Sequence, residues 1–528
     1  MFNRAHLLLA TTALLGGGIA MPAAAQDTTQ NYADAPEGLG DIIVTAQRRE
    51  ENIQDVPISV TVIDDGTLEA ITASGQDIRA LSGRVPSLLI ESSFGRTFPR
   101  FYIRGLGNTD FDFNASQPVS LVYDDVVLEN PILKGFPVFD MQQVEVLRGP
   151  QGTLFGRNTP AGIVKFDTVK PGYDFGGYGQ VSYGRFNAVN AEGAVTVPAG
   201  ENVSLRVSAL YQRQDDWVDN VLPSGTTEDA FGGYEDFAFR LQALIQPSDD
   251  FEVLLTGQFR DLDGTARLFR ANNFTRGEPA LNENFDRDSI SVDGQNEQTV
   301  KTQNLSARMT YDLGPVSLIS VTSYWHGEST SVGDVDGGFG ANFLPPALYG
   351  PGDIPFTAET RDSVPDLEQF TQELRIASNG SGPLSYQAGF FYFDEGLDIV
   401  SENYSTLGDG LNAPGGVNIF VSQRQDSKAY GVFGSVTYDL TDQLSVTGGV
   451  RYNDDSRDFT VTRSKDTQFP AFLQSPLGTV TRDVSDDTIT WDASVGYEVN
   501  PDVNLYARVA RGYRAPSIQG RILFPPAT

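Results

Sequence analysis

Two histidines and no cysteine leave this chain little of the usual catalytic chemistry. Without cysteine, a thiolate nucleophile, a thiolate metal ligand and a disulfide scaffold are all impossible. His6 lies in an N-terminal stretch that reads as cleaved, so a Ser-His-Asp triad or an imidazole metal site would rest on His326 alone. His326 follows Tyr324-Trp325 in an aromatic strand pattern, where a wet or interfacial imidazole is the plainer reading. Gly105-x-Gly107-x-x-Asp110 nearly matches a dinucleotide fingerprint, but it lacks the third glycine and a helix after it. The net charge of −32 argues against nucleic acid, which selects basic surfaces. The residues that invite a binding role are two arginines, Arg104 and Arg148, each directly before a glycine at a strand end. Alone, either would be a solvated surface charge; only where bulk water is excluded would its guanidinium need a carboxylate, and the low dielectric would strengthen that pair.

The element that must position Arg148 is Asp140 to Phe166, DMQQVEVLRGPQGTLFGRNTPAGIVKF. Val144-Glu145-Val146-Leu147 reads as a short strand. Gly149, Pro150, Gln151 and Gly152 break it, since proline fixes φ and glycine opens turns closed to other residues. Gly156 and Gly162 lead into a second strand, Ile163 to Phe166. A phosphate loop is excluded, because no glycine precedes Gly-Lys-Ser/Thr at the required distance. The stretch resembles the end of the plug domain of TonB-dependent outer-membrane receptors, whose hallmark is VEVLRGPQGTLFG followed by N-x-x-A-G. Glu145, Gly149, Pro150, Gln151, Gly152, Gly156, Asn158 and Gly162 carry that motif here, with Gly105 in an earlier one. The resemblance implies that Arg104 and Arg148 clamp the plug to acidic residues of a surrounding barrel. Gln372-Glu373-Leu374-Arg375 is similar to a barrel strand of the family and offers Glu373 as partner.

Upstream, residues 1–25 have the three parts of a secretory signal: Arg4, an apolar run from Leu7 to Ala20, and Ala23-Ala24-Ala25 before the expected cut at Gln26. The run is too short for a membrane helix, which needs about 20 residues. Residues 26–51 form a linker whose polar start to Gly40 is expected to be disordered. It contains Asp41-Ile42-Ile43-Val44-Thr45-Ala46, isolated β-formers able to add to a partner's sheet edge or to open the next domain. DIIVTA resembles a TonB box, the segment that pairs with TonB and so couples to its inner-membrane energising complex.

Residues 52–171 alternate short β runs with turns, as a mixed α+β plug would. Val119 to Asp125 is similar to the family's V-x-V-Y-x-D-G-V segment, but Asp125-Val126 replaces Asp-Gly and puts one turn in question. From 172 to 528 the strands lengthen. In Phe251–Arg260, Phe, Val, Leu, Gly and Phe face one way and Glu252, Thr256, Gln258 and Arg260 the other. Short turns at 198–200, 247–249, 313–315, 379–381, 440–442 and 500–502 alternate with long Gly/Asp-rich stretches. That rhythm is expected of an outer-membrane barrel with periplasmic turns and extracellular loops. A secreted sandwich has shorter strands. Arg511–Ser517 also resembles the family's G-F-R-A-P-S segment. About thirteen strands are counted, against 22 in the family, so the barrel is expected to be incomplete and its last strand edge open.

The fold expected is therefore mainly β: a plug inside a transmembrane antiparallel barrel in the outer membrane lipid of a Gram-negative bacterium. The function expected from the resemblance is energy-coupled import of a scarce solute, foremost a ferric chelate, otherwise cobalamin or an oligosaccharide. No catalytic residue, cofactor, resident metal or nucleic acid is called for. A passive porin-like channel and a secreted adhesin or surface enzyme are the competing classes; a porin would need neither Asp41–Ala46 nor the plug motif.

Overall fold

Strand length separates two bodies in this chain. The computed structural model describes residues 42–519 apart from 222–226, 271–272, 276–277, 282, 284, 291, 293, 336, 338–358, 381, 405–416, 468–476 and 501–502. From Ile43 onward the chain forms one compact unit.

The first body has strands β1 (Ile43–Val44), β2 (Glu51–Asn52), β3 (Ser59–Asp64), β4 (Leu88–Glu91), β5 (Arg100–Ile103), β6 (Val119–Tyr123), β7 (Val126–Leu128), β8 (Met141–Arg148) and β9 (Gly162–Thr168). Helix α1 (Asp65–Thr72) follows β3, and a single helical turn, α2 (Gly152–Phe155), separates β8 from β9. Asp64 caps α1 by accepting from Thr67 N at 2.7 Å, which satisfies one of the orphan donors of its first turn. A five-stranded sheet runs β3-β8-β9-β6-β7. Val144, Val146, Leu147, Ile163 and Val164 are wholly buried, so β8 and β9 are packed on both faces and read as apolar runs. Gly162 has φ +145°, and a Cβ there would lie 2.1 Å from Leu147 O; only glycine lets β9 approach β8. The β6–β7 turn, put in question by its sequence, is made by Asp124 and Asp125 at φ +47° and +68°. Aspartate tolerates the left-handed region, so the missing glycine is accommodated.

The second body is a single antiparallel sheet. Its strands are β10 (Gly176–Tyr183), β11 (Val189–Pro198), β12 (Val203–Gln214), β15 (Tyr234–Ser248), β16 (Phe251–Gly264), β18 (Glu297–Asp312), β19 (Val316–Asp334), β20 (Glu359–Ser378), β21 (Leu384–Asn403), β22 (Ile419–Thr441), β23 (Leu444–Asp466), β24 (Gly478–Asn500) and β25 (Val503–Arg511). The small strands β13 (Val218–Val221), β14 (Thr227–Phe231) and β17 (Ser289–Ile290) pair among themselves on the long-connection side. The large sheet orders its 13 strands in sequence from β10 to β25, each pairing with the next, as the six short turns require.

The alternation along these strands is inverted relative to a soluble protein. On β23, Arg451, Asn453, Asp455 and Arg457 are buried against the interior, while Val450 and Tyr452 are 52% and 44% exposed on the outside. An apolar outer face is stable only against lipid. Aromatic side chains edge it: Tyr311, Tyr438 and Tyr497 near the short turns, Tyr324, Tyr430, Tyr452 and Trp491 at the opposite limit. On β22 these limits, Tyr438 and Tyr430, are eight residues apart, about 26 Å along the strand. Beyond Tyr430, β22 continues to Ile419, and its outward residues turn polar, with Lys428, Asp426 and Arg424.

Candidate functional site

The sheet, open between β10 and β25 among the described residues, packs its inner face against the first body, and the contacts between them define the site. Ile43–Val44 pairs antiparallel with Glu51–Asn52. Alternation then buries Val44 and Ala46, at 0% and 1% exposure, in an apolar cluster with Leu147, Phe155, Ile163, Phe391 and Phe393. Thr45 N and Oγ1 donate to Glu145 Oε1 at 2.7 and 2.9 Å, and Lys165 Nζ donates to Thr45 Oγ1 at 2.6 Å. Asp41 lies outside the described residues; Ile42 and Ile43 are 37% and 45% exposed. The sequence suggests β-formers isolated between flexible flanks; instead Val44 to Ala46 are docked, because every second side chain is apolar and finds the plug's own core. Burial raises the pKa of Glu145, with Lys165 opposing it.

The same segment is tied to the wall near the short turns. Gln387 Nε2 donates to Gln47 O at 3.0 Å, just past the β20–β21 connection, and Asn504 Nδ2 to Gln54 O at 2.9 Å, beside the β24–β25 connection. Arg48 donates to Glu373 Oε1 at 2.6 Å, with both side chains almost fully buried, and its guanidinium lies 4.6 Å from the Phe155 ring. Arg375 reaches the same carboxylate oxygen at 2.9 Å. Asp125 Oδ2 is 3.3 Å from Arg308 Nε. Burial works against its charge, yet Arg375, Arg308, Lys165 and Arg48 together hold its carboxyl well below the usual carboxylate range.

Glu373 therefore ties the segment just ahead of the plug to the barrel, and the arginines assigned to it do not reach it. Arg148 lies opposite Ser59 across the β3–β8 pairing and donates to Thr61 Oγ1 at 2.6 Å, Ser59 Oγ at 3.3 Å and Pro86 O at 3.1 Å, all plug atoms. Arg104 is exposed, at φ +52°, just before Gly105 at φ +77°. Its guanidinium sits beside Gly149, whose φ of +89° turns the chain after β8. Both arginines thus face the plug's own end. Arg48 occupies the place beside Glu373.

Sequence reasoning missed other wall contacts. Asp140, at the head of β8, accepts from Arg206 Nε at 2.9 Å and from Arg240 at 3.1 Å, and also from Ser208. Arg240 donates to Tyr123 Oη at 2.7 Å, and Arg260 is held bidentate by Asp236 while donating to Gly135 O. Arg157, inside the motif, donates to Asp455 Oδ1 at 2.5 Å and stacks 4.0 Å from the Phe393 ring centre. A charge at the non-apolar positions of an alternating strand is the available signal for Arg206, Arg240 and Asp455. Of the motif residues, Asn158 receives a contact the spacing gave no hint of: its N–H donates to Tyr513 O at 2.9 Å, and its Oδ1 accepts from Ala515 N at 3.0 Å. Gly152 and Gly156 let the α2 turn lie against Thr490 and Arg451. Pro150 and Gln151 form the bend into α2, where Phe155 N returns to Gln151 O at 3.1 Å.

A small body packed on the inner face of a sheet that is apolar outside, with a docked segment at the short-turn end, narrows the fold. Residues 239–526, over half of the chain, match the family model described as TonB dependent receptor-like, beta-barrel, and residues 52–163 match the TonB-dependent Receptor Plug Domain. The chain belongs to the TonB-dependent receptor family. This receptor is 23% identical over 505 residues to the pesticin receptor of Yersinia pestis, covering 94% of this chain and 66% of that one. It is 30% identical over 157 residues, 29% of this chain and 24% of its counterpart, to the vitamin B12 transporter BtuB of Vibrio vulnificus. In structure it is similar to the ferric yersiniabactin uptake receptor FyuA from Yersinia pestis, with a TM-score of 0.70 and 19% identity over 87% of this chain and 65% of that one. The chain thus spans a little under two thirds of the length of the pesticin receptor and of FyuA, 66% and 65%.

Proposed function

We propose that this receptor imports a ferric chelate across the outer membrane, driven by TonB pulling on the Asp41–Ala46 segment. One observation carries the reading: the residues from Ile43 to Arg48 are docked into the plug and ion-paired through Arg48 and Glu373 to the wall, at the short-turn end of the barrel. Short turns lie on the periplasmic side of such barrels, so a periplasmic partner can reach the exposed Ile43 and add a strand to it. A pull there loads β1 and β2 first, then Thr45–Glu145 and Arg48–Glu373. No covalent bond is broken, so the reaction needs no catalytic residue and no cofactor. Aromatic rims on the outer face anchor the barrel in lipid.

Residues 1–25 serve, in this reading, as the export signal, 52–171 as the plug and 172–528 as barrel. A passive porin has no use for a docked segment at its periplasmic end, and an adhesin has no use for a filled lumen. Cells expressing the receptor, starved separately for iron, cobalamin and oligosaccharide, test the cargo. Growth rescued by ferric chelates in a TonB-dependent way is expected. Rescue by cobalamin or sugar alone would reassign the cargo, and rescue without TonB would return the reading to a channel. Conductance in planar bilayers separates the classes: closed for a plugged receptor, open for a porin, silent for an adhesin.

A further inference from the structure

The outer face of the sheet is not evenly filled at its short-turn end. Strand register lines up Met309, Ser320 and Leu374 in one outward row, and Leu318, Ile376 and Ala388 in the next row towards the turns. Ser320 and Ala388 are small and stand among larger neighbours, so the two rows border an apolar groove of 530 Å³ that runs from β16 to β21. Ser320 Oγ accepts from Gln372 Nε2 at 3.1 Å, which leaves the floor without a bare acceptor. The walls of an unfilled groove lack dispersion partners on one side. On a face turned to hydrocarbon, a lipid chain is the filler at hand.

The mouth of the groove is acidic. Phe251 and Tyr311 stand at its turn end, opposite each other across β16 and β18, with ring centres 5.9 Å apart. Asp250 directly precedes the one and Asp312 directly follows the other, and Asp312 N donates to Asp250 O at 2.7 Å. Asp312 Oδ1 is fixed by Gly314 N at 2.7 Å and Asn379 Nδ2 at 2.8 Å. Both aspartates are exposed, and no lysine or arginine stands in any of the six short connections. Arg375 backs the groove, but its guanidinium is buried on the inner face against Glu373. A lipid phosphate at this mouth meets no protein cation, and a lipid of net negative charge is repelled. A lipid that carries its own ammonium finds two carboxylates instead. Tyr311, at head-group level, offers its hydroxyl to the phosphate. We propose that the groove binds one chain of an amine-headed phospholipid of the periplasmic leaflet, of the phosphatidylethanolamine type, with its ammonium on Asp250 and Asp312. This rests on the outer-membrane placement and is independent of the cargo.

The chain has no cysteine, so Phe390→Cys sets a single thiol for a fluorophore on the groove's flank, opposite Leu374. The whole chain is extracted from cell membranes in neutral detergent and mixed with phospholipids brominated along one acyl chain. Brominated phosphatidylethanolamine is expected to half-quench the label at a third or less of the concentration that brominated phosphatidylglycerol needs, a ratio within reach of two exposed ion pairs. The gap should narrow as salt rises. Asp250→Asn with Asp312→Asn should bring the two lipids within twofold of each other. Ser320→Trp fills the groove and should weaken quenching by the ethanolamine lipid at least threefold, while Val450→Trp, on the outer face of β23, should not. Equal quenching by the two lipids, a preference that survives the asparagine pair, or full quenching in Ser320→Trp would overturn the proposal. So would a dimer in light scattering that Ser320→Trp separates, because a second copy would then fill the groove. Density-gradient fractionation reads the placement by itself: a chain found outside the outer-membrane fraction would overturn the placement and the proposal with it. A mistaken cargo moves none of these readings.

Discussion

Replacing Glu373 by alanine removes the carboxylate that Arg48 and Arg375 share, at 2.6 and 2.9 Å. The Arg48 and Glu373 side chains are 1% and 5% exposed, so neither charge can be rehydrated in place. Breaking one side of such a pair is typically worth about 3–5 kcal/mol. Asp125 stays within the field of both arginines and softens the loss, which sets the expectation at about 3 kcal/mol. At 1.36 kcal/mol per tenfold, that loosens the docked segment about 150-fold. Arg48→Ala leaves Glu373 still paired with Arg375, so about 2 kcal/mol is expected, part of it from the lost Phe155 contact. The two changes meet at one contact, so the double variant should fall short of their sum by about 1–3 kcal/mol. The assay uses Val44→Cys, a thiol at a wholly buried position in a chain otherwise free of cysteine. Its labelling rate in native buffer reports the undocked fraction. Labelling of the Glu373→Ala variant within threefold of the parent, or strict additivity in the cycle, would refute the reasoning.

Ile43→Pro removes the N–H that TonB would use for strand addition, so uptake should stop while cells still bind the ferric complex; unchanged uptake would rule out this segment. Gly162→Ala should cost about 3 kcal/mol or more, since φ +145° and a Cβ 2.1 Å from Leu147 O cannot be relieved without parting β8 from β9; protease resistance of the plug is the check. Lys134 is wholly buried, donating to Val119 O at 3.0 Å, and burial lowers its pKa from 10.5 to about 8, although Glu129 and Glu395 oppose this. The folded state therefore binds this proton less tightly than the unfolded state. The penalty is full below pH 8 and fades as pH rises to 10.5, so stability should climb by up to about 3 kcal/mol across that window. Lys134→Met should flatten the rise in urea titrations.

The fold was legible where a pattern is local. Val144–Leu147 and Ile163–Phe166 are strands because apolar β-formers run unbroken between glycines, and all six short turns connect neighbouring barrel strands. The Phe251–Arg260 alternation announced the lipid-facing and interior faces, with Thr256, Gln258 and Arg260 now buried inside. The plug–wall pairs were not legible, since they depend on how two bodies are rotated against each other. Arg148 is an example: its neighbours Ser59 and Thr61 come from a strand nearly ninety residues away, set by the β3–β8 register. Arg48, beside the predicted coupling segment, found Glu373 across 325 positions of sequence. No spacing rule encodes that meeting. The docking of Val44 and Ala46 was hidden for another reason: alternation shows that one face is apolar, not which core receives it.

The strands that climb past Tyr430, Tyr452 and Trp491 give the chain's acidity a physical meaning. Outside that aromatic rim, past Lys428 on β22 and Ile489 on β24, the outward positions include Asp454 and Asp458 on β23, Asp487 on β24 and Asp426 on β22. Carboxylates cannot enter hydrocarbon and are repelled by the phosphates of lipid head groups. The rim and this collar together fix how deeply the barrel sinks. From Tyr430 to Ile419, eleven residues at about 3.3 Å each, tilted near 45°, would lift the mouth roughly 25 Å above the lipid. These four carboxylates, which could look like a preference for some cation, are then a depth gauge, keeping the entrance in open water.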